Sequence, residues 1–271
     1  MPNYYAHLQF GTQVLAALPE DLRILIETEK DAYTLGQYGP DPLYFYRPVR
    51  GGAVRAAGRS HHRSPVRPVL ERLRLAVGEG RVCSAGYAAG FLCHFALDSR
   101  CHPYIRQQED GGTIAHASLE VEFDRFLLVR KGMDPRRETP LPAPKMPAAF
   151  YELLERVVYP DVQGWQYRKG LEFYRKASIW HTRAAGSRAV ECFWELAARV
   201  SRRGARFRDM ALKREVAAYA RCDAELLALL EEEVPVAAEK LTAFFEGKPL
   251  DEWFDRDYNG RTQGEAGKFI G

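Results

Sequence analysis

Apolar residues recur along most of this chain at the three- and four-residue steps of a helix. Leu8, Val14, Leu15, Leu18, Leu22, Leu25 and Ile26 form such a face over residues 8–30, which Pro19 divides in two. A stretch rich in turn formers and aromatics follows, from Gly36 to Pro48. Residues 50–60, with Gly51-Gly52 and three arginines, read as a mobile basic loop. His61-His62 then opens a short helix running through Val66, Val69, Leu70 and Leu73. Residues 82–103 form a central helix rich in alanine and glycine, with Pro103 expected to end it. Gln107–Thr113 reads as a polar turn, and His116 to about Val129 as the next helix. Residues 131–147 hold Gly132 and five prolines, a loop and the one clear point of subdivision. Beyond it the helical pattern returns over 148–158, 161–183, 187–200, 206–230 and 232–246. No stretch alternates with the period of two that marks strands. The expected organisation is thus a helical core over 1–130, the loop, C-terminal helices over 148–250 packed on the core, and a partly ordered tail over 251–271. The pattern predicts an all-α protein.

Composition narrows the class without naming a function. A chain of 271 residues, 46% hydrophobic and 28% charged, is ordinary for a globular protein with a sizeable core. The net charge of +3 is too small to argue for nucleic acid or a membrane surface. No apolar run is long enough to span a bilayer, and Met1-Pro-Asn-Tyr-Tyr-Ala-His7 lacks the basic start and apolar run of a signal peptide. Five cysteines make an odd count with no paired framework, so reduced thiols and a cytoplasmic location are expected. Cys93 and Cys101 read as small core residues.

The chemistry concentrates in the central helix. His94, Asp98 and His102 fall four residues apart, and His116 is followed at the same step by Glu120. Four residues along a helix return to nearly the same face, about 40° round and roughly 6 Å along. Each set therefore forms a polar stripe, and the first is embedded among Phe91, Leu92, Phe95, Ala96 and Leu97. Unpartnered polar groups in such surroundings cost several kcal/mol, and a metal ion is one partner that would satisfy them. One histidine in an apolar helix is more often a hydrogen-bonded core residue. Here three of the chain's seven histidines lie within residues 94–116, each in register with a carboxylate. Imidazole with carboxylate suits zinc first, with iron and manganese as alternatives. Asp41 stands between Pro40 and Pro42, which stiffens the backbone around it; capping a turn is the competing role. The basic run from Arg199 to Arg208 reads as solvated surface, with phosphates or acidic head groups as the alternative.

Taken in order, His7 with Phe10-Gly11, Gly39-Pro40-Asp41 with its aromatics, His61-His62, His94-x3-Asp98-x3-His102-Pro103 and His116-x3-Glu120 resemble the zinc-dependent phospholipase C family. That family shares its fold with the fungal single-strand nucleases, and the likeness covers roughly residues 1–130. It implies a multi-helix bundle of that type, extended here by C-terminal helices, with two or three zinc ions in a cleft. One ion would be held by Asp41, one histidine of the pair His61-His62, His94 and Asp98. A second would take His102, His116 and Glu120. A third would share Asp98 and use His7 with the chain's N-terminal amine. Of the pair, His62 is chosen because it lies nearer the helical register of Val66 and Val69. The chain departs from the secreted members in two ways: it begins Met1-Pro2 in place of a processed tryptophan, and its step from Asp98 to His102 is shorter.

The resemblance implies a hydrolase of phosphate esters, with Asp41 orienting or deprotonating the attacking water, and Tyr44, Tyr46 and Arg47 at the substrate mouth. A phospholipid or small phosphodiester is the expected substrate, with peripheral membrane contact and no stable nucleic-acid complex. A single-strand nuclease is the alternative within the class. A non-catalytic helical protein with structural metal sites is the alternative outside it.

Overall fold

The computed structural model describes residues 4–110, 116–139 and 141–262, and among these every regular element is helical. In order they are α1 (Tyr4–Ala17), α2 (Glu20–Thr28), α3 (Lys30–Gly36), a 3-10 turn (Asp41–Phe45), α4 (Ala53–His62), α5 (Arg67–Gly78), α6 (Ser84–Asp110) and α7 (His116–Arg130). Then come α8 (Ala148–Leu153) running into a π turn (Leu154–Val158), α9 (Gly164–Ala185), α10 (Arg188–Val200) and α11 (Arg202–Leu212). A 3-10 turn (Ala217–Tyr219), α12 (Ala220–Phe245) and a last 3-10 turn (Glu252–Asp255) complete the order. The protein is all-α, as the periodicity predicts. These elements fall into two units: the described residues of 7–103, 142–173 and 229–271 make the larger, those of 1–6, 104–141 and 174–228 the smaller.

The larger unit is built on α6. Every residue from Ser84 to Ser99 is buried, and a helix enclosed all round presents no polar face to water. Its approach to α3 is backbone against backbone. A methyl group on Gly90 would stand 2.0 Å from the Tyr33 carbonyl oxygen, and one on Gly36 would stand 2.4 Å from that of Tyr87. In the smaller unit, α7 buries Leu119, Phe123, Leu127 and Leu128. Its Arg125 donates two hydrogen bonds to Glu122, at 2.9 and 2.7 Å. Arg214 ties α10 down by pairing with both Glu191 and Glu195.

Several expected boundaries move. Residues 53–62, expected within a mobile loop and at the start of the next helix, form α4. Alanine and arginine are strong helix formers, and burial of Val54 and Gly58 supplies the packing that a polar segment lacks. His61-His62 therefore closes a helix, and Val66 lies beyond the break that follows it. Pro103 sits inside α6, which runs to Asp110. A proline withholds one hydrogen bond, here from the Ser99 carbonyl, and packing along the preceding buried turns offsets that loss. Pro235 likewise lies within α12, so no break separates 206–230 from 232–246. The break comes earlier, where Lys213 adopts a left-handed φ of +48° and ends α11. Within the expected tail, residues 251–262 carry a 3-10 turn and the buried residues Phe254, Asp257 and Tyr258. Residues 107–110 of the expected turn belong to α6, while residues 111–113 of that turn, residues 263–271 and the N-terminal amine at Met1-Pro2 lie outside the described residues.

Candidate metal centre

The larger unit gathers five of the predicted side chains around a sixth, the Asp98 carboxylate. Asp98, on the buried part of α6, has His7 Nε2 at 3.2 Å and His102 Nε2 at 3.5 Å from its Oδ1. On its Oδ2 side, His94 Nε2 stands at 3.4 Å and His62 Nε2 at 3.8 Å. Asp41, buried in the 3-10 turn after α3, completes the group with its Oδ1 3.2 Å from His62 Nε2. The ligand atoms of His7, His94 and Asp98 lie within 4.8 Å of one another, and so do those of Asp41, His62 and His94.

Main-chain carbonyls hold three of these rings. His94 donates its Nδ1 hydrogen to the Gln37 carbonyl at 3.1 Å, His62 to that of Gly58 at 2.8 Å, and His102 to that of Tyr258 at 2.9 Å. In its neutral form, with the hydrogen on Nδ1, each ring offers an Nε2 lone pair, and each Nε2 faces Asp98. Metal-binding histidines are oriented in this manner by a second hydrogen bond. Buried and without a hydrogen-bond partner are His94 Nε2 and His7 Nδ1. His7 and His94 stack with ring centroids 4.3 Å apart.

The charges fit cation binding. Burial would push the Asp98 carboxyl up, but His102, His94 and His7 outweigh it and hold the group well below the usual carboxylate range. Burial pulls His94 down to about 4, with Asp98 opposing, so its ring stays a neutral donor. Burial also pulls on His62, yet the hydrogen bond it donates to Asp41 and the charges of Asp41 and Asp98 leave it raised. A neutral His94 beside an ionised Asp98 is the donor set that zinc takes from nitrogen and oxygen ligands. Two carboxylates and several imidazoles converging in a buried space, one lone pair unanswered, fit a divalent cation.

His62, not His61, faces this group. His61 turns away to meet Tyr159 edge-on, with centroids 4.8 Å apart, and burial lowers it to about 4. The register with Val66 and Val69 does not account for the direction of His62, since the helix ends at His62; the Gly58 carbonyl does. Tyr44 reaches the group, its hydroxyl 3.2 Å from His62 Nδ1. Tyr46 is buried edge-on against Trp165 at 5.9 Å, and Arg47 stacks over Tyr46 at 5.4 Å. In the smaller unit, His116 and Glu120 on α7 lie 3.0 Å apart, and Glu109 lies 3.5 Å from His116 Nδ1. The second ion that the resemblance gives to His102, His116 and Glu120 would draw on both units and stays an expectation of the sequence.

Sequence reasoning misses the segment after Trp253. Tyr258 is buried, its ring 5.0 Å from that of His62 and 5.7 Å from that of His94. Asn259 donates its side-chain hydrogen to the His62 carbonyl at 3.0 Å. The adjacent pair Asn259-Gly260 marks a turn in the sequence, but nothing there shows what the turn leans on.

A family model described as zinc dependent phospholipase C matches residues 6–171 of the chain. No curated protein and no solved structure matches it. The matched stretch spans more than half of the 271 residues and includes all eight predicted ligands.

Proposed function

The chain belongs to the zinc-dependent phospholipase C family, and from that premise we propose that it hydrolyses phosphodiesters, with phospholipids as the substrate class. His7, Asp41, His62, His94 and Asp98 would hold zinc in the larger unit. Bound there, zinc supplies a Lewis acid for a phosphoryl oxygen and brings a water's pKa to near 7. The observation that carries the proposal is the buried, unanswered Nε2 of His94 beside an ionised Asp98.

The residues divide the work. Asp98 receives imidazoles on both of its oxygens and so suits a bridging ligand. His62, His94 and His102 are fixed by backbone carbonyls, which sets their lone pairs before any ligand arrives and lowers the ordering cost of binding. Asp41 accepts a proton from the attacking water at a carboxylate oxygen, and its stiff two-proline setting keeps that oxygen in place. Hydrolysis breaks one phosphorus–oxygen bond; the water's oxygen goes to phosphorus and a proton reaches the leaving oxygen. Tyr44, hydrogen-bonding distance from His62, marks the side from which substrate would approach.

The test combines metal analysis with turnover. The purified protein is assayed for zinc content and for chelator-sensitive hydrolysis of phosphatidylcholine analogues and single-stranded DNA side by side. A His94→Ala, Asp98→Ala double variant should lose both zinc and activity. Full activity in that variant overturns the proposal, and exclusive cleavage of the DNA moves the substrate class to nucleic acid.

A further inference from the structure

The sequence after the matched family region holds an uneven charge. Residues 175–214 carry eleven lysines and arginines against three acids, a net of +8 in a chain whose total is +3. All other residues together therefore net −5. The modest overall charge hides a strongly basic segment, and in the smaller unit this segment includes α10 and α11.

Helix α10 has no buried residue. Phe193, Leu196 and Val200 are 63, 62 and 76% exposed, and their spacing of three and four puts them on one stripe with the exposed Cys192. Isolated apolar side chains on a surface are ordinary, whereas an aligned set marks an interaction face. The opposite side of α10 is already taken. Helix α11 crosses so closely that a methyl on Gly204 would stand 2.2 Å from the Ala197 carbonyl oxygen. Both acids of α10 are neutralised, Glu191 by Arg214 and Glu195 by Arg214 with Arg208 at 3.7 Å. On a helical wheel the exposed Arg188 and Arg199 border the apolar stripe. What faces outward is thus an apolar strip edged by positive charge.

We propose that the α10 face docks this protein on an anionic lipid bilayer, Phe193, Leu196 and Val200 entering the interface while Arg188 and Arg199 meet lipid phosphates. An amphipathic helix with aromatic and aliphatic residues on one side and cations beside them lies in the interfacial plane by this division of labour. The basic segment around it adds attraction to acidic head groups within a Debye length. A second copy of the chain fits less well, since the same positive edge would meet itself.

The test is vesicle flotation of the full chain, read without turnover, so its outcome is separate from that of the hydrolase proposal. Vesicles of phosphatidylcholine alone are compared with vesicles containing phosphatidylserine, at low and high salt. The chain should float with the anionic vesicles, far less with the neutral ones, and less at high salt. A Phe193→Asp, Leu196→Asp variant, its melting unchanged, should partition at least ten-fold less. Arg188→Glu with Arg199→Glu should lower binding several-fold and flatten its salt dependence. Absence of wild-type binding to anionic vesicles overturns the proposal. So does wild-type binding by the aspartate variant, or a wild-type dimer that this variant dissolves. Retention of the chain on single-stranded oligonucleotides with none on vesicles likewise overturns it.

Discussion

Gly39 and His94 leave no room for another atom between them: a methyl group on Gly39 would stand 2.4 Å from Cδ2 of the His94 ring. Gly39 also has a φ of +49°, and its carbonyl accepts a hydrogen bond from Tyr167 at 2.9 Å. The residue before Pro40-Asp41 thus fixes the Asp41 turn and the floor under His94 together. Gly39→Ala should destabilise the fold through the left-handed backbone, by about 1 kcal/mol, and displace the imidazole as well. Zinc affinity is expected to fall roughly 10- to 100-fold, as when an outer partner of a metal ligand is lost. Competition with a chelator of known affinity measures it.

A second glycine contrast separates packing from propensity. Gly90 lies in the backbone contact of α6 with α3, where an added methyl would stand 2.0 Å from the Tyr33 carbonyl oxygen. Gly78 ends α5 with no atom near an added methyl. Gly90→Ala should destabilise by on the order of 3 kcal/mol or more, because two helices must separate. Gly78→Ala should stabilise by about 0.5–1 kcal/mol, since alanine restricts the unfolded chain and favours the helix. Urea midpoints of the two variants against wild type give both signs.

Why the ligands were legible while their supports were not follows from where the information lies. His94, Asp98 and His102 announce themselves by type and by a step of four within an apolar helix. The groups that aim them are the carbonyls of Gln37, Gly58 and Tyr258, and every residue carries a carbonyl, so no side-chain pattern marks them. The same limit affects α4. The Gly51-Gly52 pair before it and Gly58 within it look like loop chemistry, and the burial of Val54 and Gly58 is what the sequence does not show. Pro103 misleads in the opposite direction, because a long helix packed elsewhere tolerates one missing hydrogen bond. The basic character of residues 175–214 was visible in the sequence but vanished in the chain-wide sum, where acidic residues elsewhere offset it.

Glu233 gives a stability prediction with a definite sign. It is buried in α12 with Oε1 unpartnered, and burial raises its carboxyl to about 7, although Arg256, Arg100 and Lys240 oppose the shift. In the unfolded chain a glutamate titrates near 4.3. Between these values the folded protein keeps a proton that the unfolded chain has released, so stability falls as pH rises toward 7. The contribution is fully present below about pH 4 and is lost above about pH 7. Glu233→Gln removes the ionisation and should be the more stable protein at pH 8, by on the order of 2 kcal/mol. At pH 4 the two should nearly coincide. Equal differences at both values would show that Glu233 ionises normally in the fold.

Asp257 makes no contact with a ligand's inner nitrogen, yet the metal centre should depend on it. Its Oδ1 accepts hydrogen bonds from the backbone of Asn259 at 2.8 Å and of Arg261 at 3.0 Å, and its Oδ2 accepts one from the Asn259 side chain at 3.2 Å. That turn points the Tyr258 carbonyl at His102 and the Asn259 amide at the His62 carbonyl. In Asp257→Ala the backbone donors lose their acceptor, and the carbonyl that orients His102 is free to drift. Buried tyrosine packing should keep the overall fold, so melting should fall by only a few degrees, consistent with a loss of about 1 kcal/mol. Zinc affinity should fall at least ten-fold. Asp257→Asn retains an oxygen where Oδ1 stands and should recover much of that loss, which a purely electrostatic role for the carboxylate would not allow. Titration of zinc into the three proteins, each first stripped by a chelator, decides between positioning and charge.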